Sequence, residues 1–275
     1  MGELGSWLVC FEVWYNLPMK LTILGSGTFF VGKTVTASSF LFETSTKKIL
    51  IDCGPGTLVK LAQAGYKPED LDYVFITHFH PDHTSDLFPL FMNYRLKDNF
   101  EPGSVTKFPT FYGPEGLDKF LSDYSHLTEL HAYDGWGKIK VVDYTPVIQL
   151  DDFAVKTYKV VHTAFSYATK AYSLRFEVEN KVISFSGDTA ACSGVENASE
   201  NADVFVCDTS YPKGKVNTVH LNSAEIGEIS TKSKVKKLIL DHFYPQYDQD
   251  TLVSEVRENY KGEVLKAKDL DTIEL

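Results

Sequence analysis

Between Ile76 and Leu87 the chain reads ITHFHPDHTSDL, which places three histidines and two aspartates within the nine residues from His78 to Asp86. Imidazole and carboxylate are the nitrogen and oxygen donors that a divalent cation such as zinc accepts. The run YVFI just before the motif is β-branched and aromatic, so the motif begins where a strand ends. His78 and His80, one residue apart, point to the same side of an extended segment. Asp82 and His83 are expected to follow from the turn. The protein has only eight histidines, and three in six positions beside an aspartate is a pattern for metal rather than for a polar loop.

Three later segments share the grammar of an apolar strand ending in a donor: KVVHTAFSY with His162, VISFSGDT with Asp188 and KLILDHFYP with His242. Each is weak alone, because a single histidine at a strand end is usually structural or solvated. With His78, His80, Asp82 and His83 they make seven donors, more than one tetrahedral site can use. Two divalent metal ions are therefore expected, zinc first, with manganese or iron left open by the donor types.

The order IDCG, THFHPDH, a distant His162, SGDT and a late His242 resembles the metallo-β-lactamase superfamily across nearly the whole chain from Met19. The late pair VHLNSAEIGEI and LILDHFYP is similar to its ribonuclease Z and phosphodiesterase branch. The resemblance implies a mixed α/β fold, an αββα four-layer sandwich with the site at one edge between two sheets. It further implies that His78, His80 and His162 hold one metal, that Asp82, His83 and His242 hold the other, and that Asp188 bridges them. Asp52 in IDCG would support the histidines from behind, fixing ring orientation. Asp208 in CDTSY and His220 ahead of LNSAEI would form a carboxylate–imidazole pair able to protonate a departing alkoxide. The alternative for His220 is a structural role beside the cap of the following helix.

One departure from that branch is equally informative. Ribonuclease Z enzymes that mature tRNA carry a long basic, glycine-rich arm, whereas only 25 residues separate His162 from Asp188 here, and they read as a hairpin. With a net charge of -10, this speaks against tRNA as a partner and leaves a small-molecule or nucleotide phosphodiester as the expected substrate. The expected chemistry is attack by a metal-activated water, with Asp82 orienting it and His220 delivering the proton. The first rival is an acyl hydrolase of thioesters or lactones, glyoxalase II-like, on the same metals, for which the Asp208–His220 pair is the discriminating feature. His80 argues against a diiron redox protein, and a full donor set argues against a noncatalytic scaffold.

The rest of the chain must position these residues. Strand candidates are LTIL, SFLFET, KKILIDC, YVFIT, TFYG, KIKVVDY, FAVKTYKVV, YSLRFEV, KVISFSG, DVFVCD and KKLILD. Helices are expected near residues 56–64, 84–96, 115–123, 190–200, 222–232 and 249–259. Early strands in adjacent runs, then interleaved helices, suit two packed mixed sheets with helices outside. LGSGT reads as a tight turn, since it lacks a full GxGxxG and a following helix. Phe88, Phe91, Met92 and Tyr94 have the spacing of a core-facing helix, with Tyr94 or Arg95 able to reach the cleft, and His126 and His131 read as surface residues.

The 275 residues, 43% of them hydrophobic, suffice for a large core. Residues 1–18 read as an N-terminal extension without the basic flank of a signal peptide, ahead of a single hydrolase domain at 19–275. No window is long and apolar enough to span a bilayer, so no membrane partner is expected. Cys10, Cys53, Cys192 and Cys207 are too few and too scattered for a disulfide framework, which points to a reducing, cytoplasmic setting. A homodimer is compatible with all of this.

Overall fold

A computed structural model of the protein describes residues 18–30, 35–128, 139–164, 167–168 and 170–275, without the side chains of 95, 98, 99, 163, 164, 167 and 168. Of the expected extension at 1–18, all but Pro18 lies outside the described residues, as do His131 and the side chain of Arg95.

The first sheet takes the order β16 (Thr272–Glu274), β1 (Lys20–Gly25), β2 (Ser39–Glu43), β3 (Lys48–Ile51), β4 (Tyr73–Phe75), β5 (Thr110–Gly113) and β6 (Lys140–Asp143). The second runs β15 (Glu263–Lys266), β14 (Lys237–Asp241), β13 (Val204–Asp208), β12 (Lys181–Phe185), β11 (Tyr172–Val178), β8 (Phe153–Lys159) and β7 (Val147–Gln149). A short antiparallel pair, β9 (Thr163–Ala164) and β10 (Tyr167–Ala168), stands apart. Each sheet begins antiparallel and turns parallel partway, from β3 onward in the first and from β12 onward in the second. Parallel neighbours need crossover segments. Helices α1 (Thr57–Gln63), α2 (Pro81–Thr84), α3 (Leu87–Phe100) and α4 (Leu117–Leu127) supply them for the first sheet, and α5 (Ser193–Ser199), α6 (Ser223–Lys232) and α7 (Gln249–Asn259) for the second.

Three apolar layers make this the expected αββα sandwich. Between the sheets, Ile23, Phe42 and Phe75 meet Phe176, Phe185 and Ile239, with the Phe42–Phe176 and Phe75–Phe176 rings edge to face at 5.6 and 5.3 Å. Burying each such ring stabilises the fold by roughly 1.5–3 kcal/mol. Outside the first sheet, Leu61, Leu90, Phe91 and Leu121 pack on Leu50, Val74 and Phe111. Outside the second, Val195, Ile226, Ile229, Leu252 and Val256 pack on Phe205 and Leu240. Strand β8 alternates buried and half-buried residues from Phe153 to Tyr158, while β3 is almost continuously buried, as a strand covered on both faces must be. Among the described residues no helix is long and apolar enough to cross a membrane.

The structure departs from the sequence expectations in particular places. The helix expected near 84–96 is α3, Leu87–Phe100, and a separate one-turn helix, α2, precedes it, so Asp82 and His83 lie on a short helix opened by Pro81 rather than in a turn. Tyr94 is wholly buried with its hydroxyl on the Pro68 carbonyl, so it does not face the cleft. Strands β7, β15 and β16 went unread because they are edge segments of three or four residues with too little apolar alternation to stand out.

The loop after β3 is strapped to α2. Cys53 N donates to His83 O at 2.8 Å and Asp86 N to Cys53 O at 2.9 Å. The approach is so close that a Cβ on Gly54 would sit 1.7 Å from Asp82 O. Gly54→Ala is therefore expected to destabilise the protein by about 1–3 kcal/mol through displacement of α2, seen as a lower denaturant midpoint at unchanged slope. An unaltered midpoint would show that the strap yields.

Candidate metal centre

The strands deliver their donors to one edge of the sandwich. Asp52 follows β3, His78 and His80 follow β4, His162 follows β8, Asp188 follows β12, Asp208 closes β13 and His242 follows β14. All are at carboxyl ends of strands, where open α/β sheets leave their crevice. Except for half-buried His80, these side chains are buried, as are Asp82 and His83 on α2.

Three groups of four converge among the described residues, the first of His78, His80, His162 and Asp188, the second of Asp82, His83, Asp188 and His242, and a third, overlapping them, of Asp188, Asp208, His220 and His242, each with one donor atom per residue lying within 4.8 Å of the others. Asp188 belongs to all three. His83 Nε2 lies 3.3 Å from Asp188 Oδ1, and His242 Nε2 lies 3.4 Å from Asp188 Oδ2 and 3.5 Å from Asp82 Oδ2. His78 Nε2 and His162 Nε2 stand 3.7 and 3.9 Å from Asp188 Oδ2, and His162 Nε2 is 3.0 Å from His80 Nδ1. Donors at zinc distances on a tetrahedron are separated by about 3.3 Å, so most of these spacings approximate the edges of coordination shells. The Nε2 atoms of His78, His83 and His242 are buried without a hydrogen-bond partner, a costly state that a bound cation relieves. The donor set and its orphaned nitrogens fit two divalent metals.

The other ring nitrogens are held from behind. His83 Nδ1 is 2.8 Å from Asp52 Oδ2, and Asp52 also accepts the amide and hydroxyl of Thr77. His162 Nδ1 donates to Val219 O at 2.7 Å, His78 Nδ1 contacts Thr77 Oγ1 at 3.1 Å, and His242 Nδ1 contacts Ser210 Oγ at 2.9 Å. Such partners select the tautomer and aim the ring. Asp52 and His242 take left-handed backbone angles, φ 56° and 59°, a local cost of order 1–3 kcal/mol tolerated where the surroundings enforce it.

The charges divide along the same line. Burial, reinforced by neighbouring imidazoles, lowers His78 well below the usual histidine range, and burial likewise lowers His80 and His162. These rings are neutral with lone pairs available. Burial also opposes charge on His83 and His242, but Asp188 overcomes it, aided by Asp52 and Asp82 at His83 and by Asp208 and Asp82 at His242, so both are raised well above 6.5. Burial pushes the Asp188 carboxyl up, yet His242 and His83 hold it well below its ordinary value.

His220 Nδ1 lies 2.7 Å from Asp208 Oδ2, and its Nε2 is 3.2 Å from the Tyr244 hydroxyl. Burial would raise Asp208, but the charge and hydrogen bond of His220 bring it down to about 2. The helix cap beside it is Asn222, which accepts from Ala224 N and Glu225 N, so His220 is not needed as a cap. A cleft of about 490 Å³ opens here, lined by His80, Asp82, His162, Asp188, His220 and His242 together with the aromatic rings of Phe29, Tyr211 and Tyr244. The aromatic wall and Ser210 went unread in the sequence, although TFF after LGSGT, CDTSY and DHFYP each set an aromatic beside a candidate polar residue or turn. His126 is exposed on α4, away from this cluster.

Residues 19–261 match the family described as the anti-Pycsar protein Apyc1. The probable metallo-hydrolase YhfI of Bacillus subtilis (strain 168) is 27% identical over 256 residues, covering 91% of this chain and 97% of YhfI. A ribonuclease Z of Bacillus licheniformis is 26% identical over 293 residues, covering 87% and 93% respectively. The crystal structure of YhfI, a metallo-β-lactamase fold protein, aligns with a TM-score of 0.78 at 25% identity over 94% of this chain and 100% of that one. The metallo-β-lactamase fold is thus the fold of this chain.

Protons on His83 and His242 compete with metal in the second group, because an imidazole must be neutral to bind. Since both sit well above 6.5 in the metal-free protein, zinc uptake near neutral pH should release protons, and affinity at that group should climb as pH is raised from neutrality. Competition titrations with a zinc chelator should find two equivalents per chain with this dependence, and a ceiling of one equivalent or a flat profile would contradict it.

Proposed function

The chain belongs to the anti-Pycsar protein Apyc1 family, and we propose that it is a dinuclear metal-dependent hydrolase acting on phosphodiesters, small or nucleotide-type. The observation that carries this reading is the Asp208–His220 pair at the edge of the shared Asp188, with His220 Nδ1 3.9 Å from Asp188 Oδ2. His78, His80, His162 and Asp188 would hold one metal, and Asp82, His83, His242 and Asp188 the other. Such a pair, when bound, activates water near neutral pH and offsets charge on phosphoryl oxygens.

The chain's own residues do the rest. Asp82, on the cleft side of α2, orients the attacking water. Asp208 keeps the Nδ1–H of His220 engaged, which leaves Nε2 directed toward the cleft and Tyr244. As the phosphorus–oxygen bond to the leaving group breaks, that oxygen departs with the electron pair and takes the Nε2 proton. His220 ends neutral and Asp208 stays ionised.

Cleft shape supports the substrate class. A bare phosphate leaves most of 490 Å³ unfilled, whereas Phe29, 57% exposed at the rim, and the parallel Tyr211 and Tyr244 rings at 5.6 Å offer flat faces for a base. The acyl-hydrolase alternative uses the same metals, but a thiolate leaves without protonation, so on a thioester the buried dyad would have no task, and only a lactone, whose alkoxide needs a proton, would use it. The ribonuclease Z relative acts on RNA by its name, yet between His162 and Asp188 this chain has the β11–β12 hairpin and the β9–β10 pair, and its net charge is -10. Large polyanionic RNA is disfavoured on that account.

The test is a zinc-loaded panel of cyclic nucleotides, bis-nitrophenyl phosphate, short RNA, precursor tRNA, thioesters and lactones, with His220→Ala compared at equal metal content. Diesters should be turned over in preference to acyl substrates. His220→Ala should lose on the order of a hundredfold or more on a ribonucleotide diester and far less on the nitrophenyl diester, whose leaving group departs unaided. Equal losses on both would remove proton delivery, faster thioester turnover would favour the acyl alternative, and position-specific trimming of tRNA would overturn the small-substrate reading.

A further inference from the structure

Ser210 Oγ has no part in the chemistry above, yet it stands between the two halves of the site. Its side chain is wholly buried, 2.5 Å from Asp208 Oδ1 and 2.9 Å from His242 Nδ1. Asp208 orients His220, whereas His242 belongs to the second metal group. Without the serine these two do not bond, since Asp208 Oδ1 and His242 Nδ1 are 3.6 Å apart, beyond hydrogen-bond reach. The placement follows from strand register. Asp208 pairs with Asp241 at the parallel ends of β13 and β14, and Thr209 N donates to Asp241 O at 2.8 Å, so the chain leaving β13 runs beside His242.

A hydroxyl has one proton to give. His242 O is also within reach at 3.3 Å, but the ionised carboxylate at 2.5 Å is the stronger acceptor. With its proton committed to Asp208, Ser210 accepts Nδ1–H from His242. That choice fixes Nδ1 as the protonated nitrogen, so that when the ring gives up its other proton to a metal it is the Nε2 lone pair that faces Asp82 and Asp188. The second oxygen of Asp208 accepts Nδ1–H from His220 and the Thr189 amide at 3.3 Å.

We propose that Ser210 is a positioning residue that couples the second metal group to the proton donor, through one hydrogen-bond chain from His242 through Ser210 and Asp208 to His220. The chain sets both tautomers together, each with Nδ1 protonated and Nε2 facing outward. Its catalytic meaning rests on the phosphodiesterase reading, whereas its existence does not, so the test uses no substrate.

In the full-length zinc-loaded protein, Ser210→Ala should weaken the second zinc equivalent on the order of tenfold and leave the first unchanged, as loss of an outer partner does. Histidine ¹⁵N spectra should show changed ring-nitrogen signatures at both His242 and His220, and Ser210→Thr should restore affinity and spectra. Should Ser210→Ala not fold, Ser210→Cys, which keeps the shape but is a weak donor, carries the same comparison. An unweakened second zinc overturns the proposal. A change at His242 with none at His220 overturns the coupling, and a Ser210→Thr protein as defective as Ser210→Ala shows that packing, not the hydroxyl, matters. None of these outcomes depends on which ester is cleaved, so they stand apart from a failure of the substrate panel.

Discussion

A single buried carboxylate organises this protein. Asp188 is almost sealed from solvent, yet its two oxygens lie 3.3 to 3.9 Å from Nε2 of His78, His83, His162 and His242 and from Nδ1 of His220. An isolated buried carboxylate is expensive, and only opposite charge with well-aimed donors offsets the cost. The imidazoles around it come from both sheets, so the two layers of the sandwich must close within ångströms of one register. The interdigitated aromatic layer between the sheets supplies that rigidity, because a close-packed interior transmits small displacements instead of absorbing them.

The site's precision comes from backbone as much as from side chains. Ligands sit at strand ends, where the direction of departure is set by the ladder behind them, and two of the residues involved, Asp52 and His242, adopt left-handed angles that only a well-determined surround will hold. Gly54 lets the loop after β3 touch the backbone of α2, and Asp52 in that loop braces His83 on the same helix. A histidine cluster of this density would repel itself if every ring were protonated. Burial disfavours charge on His78, His80 and His162, whereas the carboxylates beside His83 and His242 favour it, so the cluster does not charge as a whole.

His78, His80, His162, Asp188 and His242 were legible in sequence because each follows an apolar run, and the terminus of a strand is a local property; Asp82 and His83 were legible from the HPDH spacing, whereas Asp52 and the Asp208–His220 pair were reached only through the family resemblance. The four-layer architecture was legible too, since hydrophobic periodicity separates strands from helices and the order of elements constrains their layers. Short edge strands such as β7 and β16 were not, because three residues carry too little alternation to stand out from a loop. Tyr94 is buried as its helical spacing suggested, and the cleft left open to it as an alternative was not its neighbour, because helical spacing gives a face but not what that face meets.

What the sequence determined by itself was the chemistry on offer, namely nitrogen and oxygen donors at strand ends, an acidic surface and too short a connection between His162 and Asp188 for a long arm. The family resemblance implied how the donors divide, but only the tertiary structure brings them together and surrounds them. Asp188 joins the groups, Ser210 bridges Asp208 to His242 thirty-two residues away, and Phe29 packs edge-on against Tyr244 at the cleft, all through contacts between segments distant in the chain. A one-residue slip in strand register would turn these side chains to the opposite face. That register is set by the packing of whole sheets, a sum over many weak contacts that no local stretch of residues encodes.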